Sequence, residues 1–273
     1  MSQRFIKYLV IILVACGFAL AGLIIWSDNH QNYKNTLENY KNTLADLELI
    51  TIPKGEMDLE VPIYSFVTTD YVKKHIVFTE PYQIGAYEIT IKQWNVCHQA
   101  GGCNKPARMR NGETPQHPVT RVSWLDAYNF TNWLAFETGQ NFRLPTEEEW
   151  TYAAFVGKHY KAEYVEYELG DVVSARPKVT HEKGKFGANA WGMNDIQGNV
   201  WEWTLTCWTS SVEGQAKLSN AEELNDPKAC GTRFLWGEER AHVPFFVNTT
   251  YNGGCATARP ASNLGFRIVL AAN

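Results

Sequence analysis

The chain has no surplus of positive charge: 25 Lys and Arg stand against 29 Asp and Glu, a formal net charge of −4. Proteins that neutralise a phosphate backbone carry the opposite bias, which excludes nucleic acid as a partner class. Paired metal ligands are also missing. The seven histidines, His30, His75, His98, His117, His159, His181 and His242, are scattered. None sits four residues from another, and none forms the cluster of two histidines and a carboxylate that holds non-haem iron. Cys97 and His98 do not recur as the paired ligand knuckles of a zinc site. His117, before Pro118, suits a backbone partner in the core, and a lone His242 is more readily structural than a ligand.

One segment is free of charge for long enough to matter. Arg4 and Lys7 precede an uncharged stretch from Tyr8 to Trp26, long enough to cross a hydrocarbon core as a helix. Read as an anchor, 1–26 keeps its basic end in the cytoplasm. The chain is then a single-pass inner-membrane protein with its C-terminal part in the periplasm or outside the cell. Two other readings stand beside this one: Ala19-Leu20-Ala21 has the small residues of a cleavage site, and Leu13-Val14-Ala15-Cys16 those of a lipoprotein signal. The apolar run continues past both, which favours an uncleaved anchor. Residues 27–49 read as a helical stalk, because YKNTLEN at 33–39 is followed by YKNTLAD at 40–46. Tyr33, Leu37, Tyr40, Leu44 and Leu47 draw one narrow apolar seam. So short a seam suits either a single spacer helix or a weak homodimer.

Residues 50–273 suit one globular domain with a mixed, aromatic-rich core. Their most informative stretch is WGMNDIQGNVWEWT at 191–204, which sets three tryptophans around a Gly198-Asn199 turn between Asp195 and Glu202. A turn of this kind aims backbone carbonyls inward, and the flanking carboxylates can share one hard cation such as calcium. It can equally be a packed turn with solvated carboxylates. Upstream, Ser123 precedes an apolar stripe at Ala127, Phe130, Trp133 and Leu134, which predicts an N-capped helix ending at Thr138-Gly139. Thr146 opens a second helix whose first-turn carboxylates, Glu147 to Glu149, suit the positive end of its dipole. That gives them a structural place in preference to an acid and base role.

These blocks resemble, in order, the formylglycine-generating enzyme (sulfatase-modifying factor) family. IPKGEM at 52–57 is similar to the family's entry strand and YQIGAYEITIKQW at 82–94 to its next strand and helix. The block from His117 to Ala154 resembles its longest and most specific motif, and SNLGFRIV at 262–269 its closing strand. The resemblance implies an α+β fold with abundant irregular structure, distantly like C-type lectin domains. It also implies a calcium site held by the carboxylates of Asp195 and Glu202 and the carbonyls of Gly198 and Val200. A second family calcium site has no match in 165–186. Cys97 and Cys103 close the short loop CHQAGGC, and Cys207 and Cys230 bracket a polar insertion. Family members carry paired cysteines at both places, which implies two disulfides.

The resemblance fails at one point. Family oxidases hold copper with two cysteines ahead of the closing strand, whereas the stretch from Trp236 to Arg267 contains Cys255 alone. Thiolates select monovalent copper, so a centre built on two of them is not available here. No iron-binding helical domain replaces it, and no catalytic residue is assigned. The expectation is a tethered, catalytically degenerate member that binds a protein or peptide and serves as an accessory, maturation or regulatory factor. Trp236, His242, Phe245, Phe246, Tyr251 and Cys255 are its candidate cleft residues, with core packing as the other role open to the aromatics. The alternative is an active metal-dependent oxidoreductase that uses Cys255 and His242 on a protein or peptide substrate.

Overall fold

The computed structural model describes residues 46–64, 69–161, 180–207, 233–237, 240–243 and 263–271. The chain divides into two compact units, Met1–Asp46 and Leu47–Asn273. The proposed anchor and stalk up to residue 45 lie outside the described residues, as do Cys16, Cys230, Phe245, Phe246, Tyr251 and Cys255. Among the described residues, no helix is long and apolar enough to cross a membrane.

Among the described residues the second unit is α+β, with short helices and three small sheets. One sheet takes β1 (Leu49–Ile52), β4 (Tyr82–Gly85), β11 (Val269–Leu270) and β5 (Phe142–Arg143), in that spatial order. A second takes β10 (Leu264–Gly265), β7 (Trp201–Cys207), β8 (Arg233–Trp236) and β9 (Arg240–Val243). The third is the hairpin of β2 (Gly55–Tyr64) and β3 (Thr69–Phe78) with β6 (Tyr160–Lys161). Alternation explains the hairpin, since Met57, Leu59 and Val61 are buried while Lys73, His75 and Val77 on its partner strand face water.

Two helices begin at the predicted N-caps, Ser123 and Thr146, and the first of them ends at the predicted Gly139. Helix α1 (Ile91–Gln99) is capped by Thr90, α2 (Trp124–Thr138) by Ser123 and α3 (Glu147–Ala154) by Thr146. Each N-cap forms a reciprocal capping box, with Gln93, Asp126 and Glu149 respectively. Gly139 ends α2 in the left-handed conformation that its lack of a Cβ permits. The first-turn carboxylates of α3 are structural, as expected. Glu149 is held bidentately by Arg143 at 2.6 Å, and Glu147 accepts from Lys74 and from the Trp236 indole, each at 3.2 Å. His117 also takes its expected role, its Nδ1 lying 2.9 Å from the Thr114 amide that donates to it.

Trp150, Tyr152, Tyr82, Ile84, Leu59 and Trp236 share the main apolar cluster, where Trp150 and Trp236 stack with ring centroids 5.4 Å apart. Beside α2, Trp94, Phe130 and Phe266 pack in stacked and edge-on contacts. The disulfide Cys97–Cys103 locks the loop after α1, with both half-cystines buried. Gly102 is required there, because a Cβ at that position would lie 2.2 Å from the Trp133 ring. Cys97→Ser should cost about 2 kcal/mol on the loop-entropy model, whereas Gly102→Val should cost more by driving Trp133 off the loop. Urea titration of both variants checks the order, which is wrong if the valine is the milder change. Cys207 is also disulfide-bonded, and the residue expected as its partner, Cys230, lies outside the described residues.

Candidate functional site

The 191–204 turn sits where two sheets meet, and backbone geometry explains its sequence. Asp195 and Asn199 both adopt positive φ, 58° and 59°, and Gly198 sits at 139°. The first two values fall in the left-handed region that Asn and Asp tolerate best among residues with a Cβ, whereas the third is a conformation that calls for glycine. After the turn the chain enters β7, which β10 joins in parallel register, Leu264 opposite Trp201 and Gly265 opposite Glu202. Gly265 permits that approach, since a Cβ there would lie 2.9 Å from both the Val119 carbonyl oxygen and a Val200 methyl.

Two residues beyond this register, Arg267 reaches back to Glu202. Its Nε and Nη2 donate to the two carboxylate oxygens at 2.5 and 2.6 Å, and the Trp150 indole donates to the first of them at 2.8 Å. Arg267 also donates to the carbonyls of Gly85 at 3.1 Å and Asn194 at 3.0 Å, tying β4 and the turn to the same guanidinium. Asp195 turns its carboxylate toward the 184–186 loop, accepting from the amides of Gly184 at 2.5 Å and Phe186 at 2.8 Å. Asn199 bridges outward, accepting from the His181 amide at 2.9 Å and donating to Glu88 Oε1 at 3.1 Å.

Glu88 completes the cluster. It is buried, and its Oε2 has no hydrogen-bond partner. Burial pushes its carboxyl up to about 8; Glu202 and Asp195 push the same way, and Arg267 opposes them. Three buried carboxyls therefore share one buried guanidinium, an excess of acid that a proton or a cation must relieve.

These contacts decide how well calcium would fit. The donors are all oxygens, and the excess negative charge favours a hard cation. Yet Glu202 and Asp195 already accept two or more strong hydrogen bonds each. Among the described residues, no group of three or more His, Cys, Asp and Glu side chains is placed to hold a metal ion. A calcium ion here would rest on remaining lone pairs of Asp195 and Glu202 and on the Gly198 and Val200 carbonyls. It fits by charge and by ligand type, as an addition to a turn already cross-linked by Arg267.

Asp195 and Glu202 both act on the buried Glu88 and Arg267, and of the candidate cleft residues only Trp236 and His242 lie among the described residues. Trp236, read from the sequence as a candidate contact, takes the core role instead: it is fully buried between Trp150 and Glu147 and presents no face to a partner. The backbone of His242 lies in β9 opposite Phe234. Glu88 and Arg267 were missed as site residues. The available signal was a single charge inside an apolar run, Ala86 to Ile91 for one and Phe266 to Val269 for the other.

Fold, capping pattern and the cross-linked tryptophan turn define one class of domain, and comparison with known proteins agrees. The model of the sulfatase-modifying factor enzyme 1-like domain matches residues 34–272, and the chain belongs to that family. A formylglycine-generating enzyme of Thermomonospora curvata is 30% identical over 137 residues, 42% of this chain and 41% of that protein. The chain thus aligns with less than half the length of this relative. The inactive C-alpha-formylglycine-generating enzyme 2 of Mus musculus is 25% identical over 248 residues, 82% of this chain and 71% of the relative. Among solved structures, PvdO from Pseudomonas aeruginosa superposes with a TM-score of 0.57 at 20% identity, covering 81% of this chain and 93% of its own. That likeness establishes the shared fold.

Proposed function

We propose that this chain is a catalytically degenerate formylglycine-generating-enzyme-like domain, tethered to the membrane and facing outward, where it binds a protein or peptide as an accessory, maturation or regulatory factor. The observation that carries the reading is the single cysteine, Cys255, between Trp236 and Arg267. An oxygen-activating copper centre built on two thiolates cannot form from one. The presence of a relative named as inactive, aligned over 82% of this chain, supports the same reading. The uncharged stretch from Tyr8 to Trp26 supports the tether.

The test is oxygen uptake by the purified chain supplied with copper(I) or iron(II) and cysteine-containing peptides, alongside Cys255→Ser. The expected result is no peptide-dependent uptake, and a variant that folds and supports the biological output as the wild type does. Metal bound stoichiometrically, with oxygen consumption that Cys255→Ser abolishes, would establish the oxidoreductase reading with Cys255 and His242 instead.

Calcium belongs to the same proposal as a structural ion, held by Asp195, Glu202, Gly198 and Val200. It would neutralise the turn's excess negative charge and stiffen it. At a calcium concentration a hundredfold above Kd, binding to the folded state alone stabilises it by about 3 kcal/mol. A rise in Tm with calcium over chelator, lost in Asp195→Asn, is the expected outcome. Glu202→Ala is unsuitable as a control because it strips Arg267 of its counter-ion. An unchanged wild-type Tm means that the turn is held by its protein contacts without calcium.

A further inference from the structure

We infer that Asn111 is a site of spontaneous deamidation, a covalent modification built into the loop that leads to the carboxylate cluster. The reaction at an Asn-Gly pair requires an exposed side-chain amide, an uncrowded following residue and a backbone N–H free to lose its proton. All three are present. Asn111 and Gly112 are both exposed. They are the central residues of a β-turn closed by the Glu113 amide donating to the Arg110 carbonyl at 3.1 Å, with Gly112 at φ 87°. That places Gly112 at the type II position that calls for glycine. A Cβ at Gly112 would meet nothing within 4 Å, and among the described residues no acceptor meets its N–H.

The chemistry needs only water. The Gly112 amide nitrogen, losing its proton to solvent, bonds to Cγ of Asn111, and the bond from Cγ to Nδ2 breaks to release ammonia. Water then adds to either carbonyl of the resulting five-membered imide and opens the ring. The product is aspartate, or isoaspartate with one extra carbon in the main chain. Either form adds a negative charge beside Glu113.

That placement gives the lesion a consequence. Glu113 is buried and holds both ends of a contact, accepting from the Arg110 amide at 2.7 Å and from the Thr180 hydroxyl at 2.9 Å. Thr114 next to it donates to Glu182 at 2.6 Å. Thr180 and Glu182 open the segment whose Gly184 and Phe186 amides hold Asp195. An isoaspartate at 111 lengthens the turn, shifts Glu113 and loosens the segment that orients the Asp195 carboxylate.

The experiment ages the full chain at mildly alkaline pH and physiological temperature, then maps peptides for isoaspartate and for a mass gain of about 1 Da. The 110–113 peptide should convert progressively, with a parallel fall in Tm. Gly112→Ala should slow conversion by about an order of magnitude, because its methyl hinders closure and disfavours the positive φ. Asn111→Gln, an exposed change outside the carboxylate cluster, should abolish the lesion and keep the Tm of the aged protein. Asn111 staying intact in the folded chain while the urea-denatured chain converts would overturn the proposal. Conversion with no change in Tm would overturn the coupling to Asp195.

Discussion

Arg267→Met should destabilise the domain by about 3 to 5 kcal/mol, the cost of leaving a buried carboxylate without its counter-ion. Arg267 is fully buried and satisfies both oxygens of Glu202, so its removal also frees the carbonyls of Gly85 and Asn194. Arg267→Lys should recover little, since an ammonium cannot reproduce the two-pronged contact. The double variant Glu202→Leu, Arg267→Met should lose less than the two single losses combined, because it leaves no orphaned charge. Urea titration of the set gives the coupling. Strict additivity would mean that Arg267 and Glu202 do not cross-link the turn.

Glu88→Gln should make stability less dependent on pH. A carboxyl whose folded value is raised from 4.5 to about 8 holds a proton in the folded state that the unfolded chain gives up. Its stabilising contribution is complete below about pH 4.5 and is lost as pH rises to about 8. The groups facing it are Arg267, which opposes the rise, and Glu202 and Asp195, which reinforce it. Glutamine imitates the protonated acid at every pH. The variant should therefore match the wild type near pH 5 and exceed it by about 3 to 5 kcal/mol above pH 8, since each tenfold difference in proton affinity between the folded and unfolded chain is worth roughly 1.4 kcal/mol. Denaturation of both proteins across that range checks the sign. A constant difference would mean that Glu88 is ionised throughout.

Glu88 and Arg267 are residues that the sequence displayed without revealing their role. They stood inside the family-like blocks YQIGAYEITIKQW and SNLGFRIV, and they are 179 positions apart in the numbering of the chain. The capping residues Thr90, Ser123 and Thr146 were of a different kind. Their partners are three positions away, so a local pattern was enough to read Ser123 and Thr146 correctly. Trp236 was ambiguous for another reason: a large aromatic beside a turn suits a partner surface and a core equally well, and only its contacts with Trp150 and Glu147 choose between them.

By itself, the sequence determined two of the helices through their caps, Ser123 and Thr146, the α+β class and the family through ordered blocks, the closed loop between Cys97 and Cys103, and the shortage of thiols at Cys255. Each rests on residues close in the chain or on composition, where short-range physics is decisive. Tertiary structure alone decided that Glu202 faces a guanidinium, that Asp195 faces the amides of Gly184 and Phe186, and that Glu88 is left with an unpartnered oxygen. Those pairings depend on the parallel register of β10 against β7 and on burial that removes water from all three carboxyls. A charge that would be inert on the surface becomes a proton-binding or cation-binding group only after the fold has taken it out of solvent.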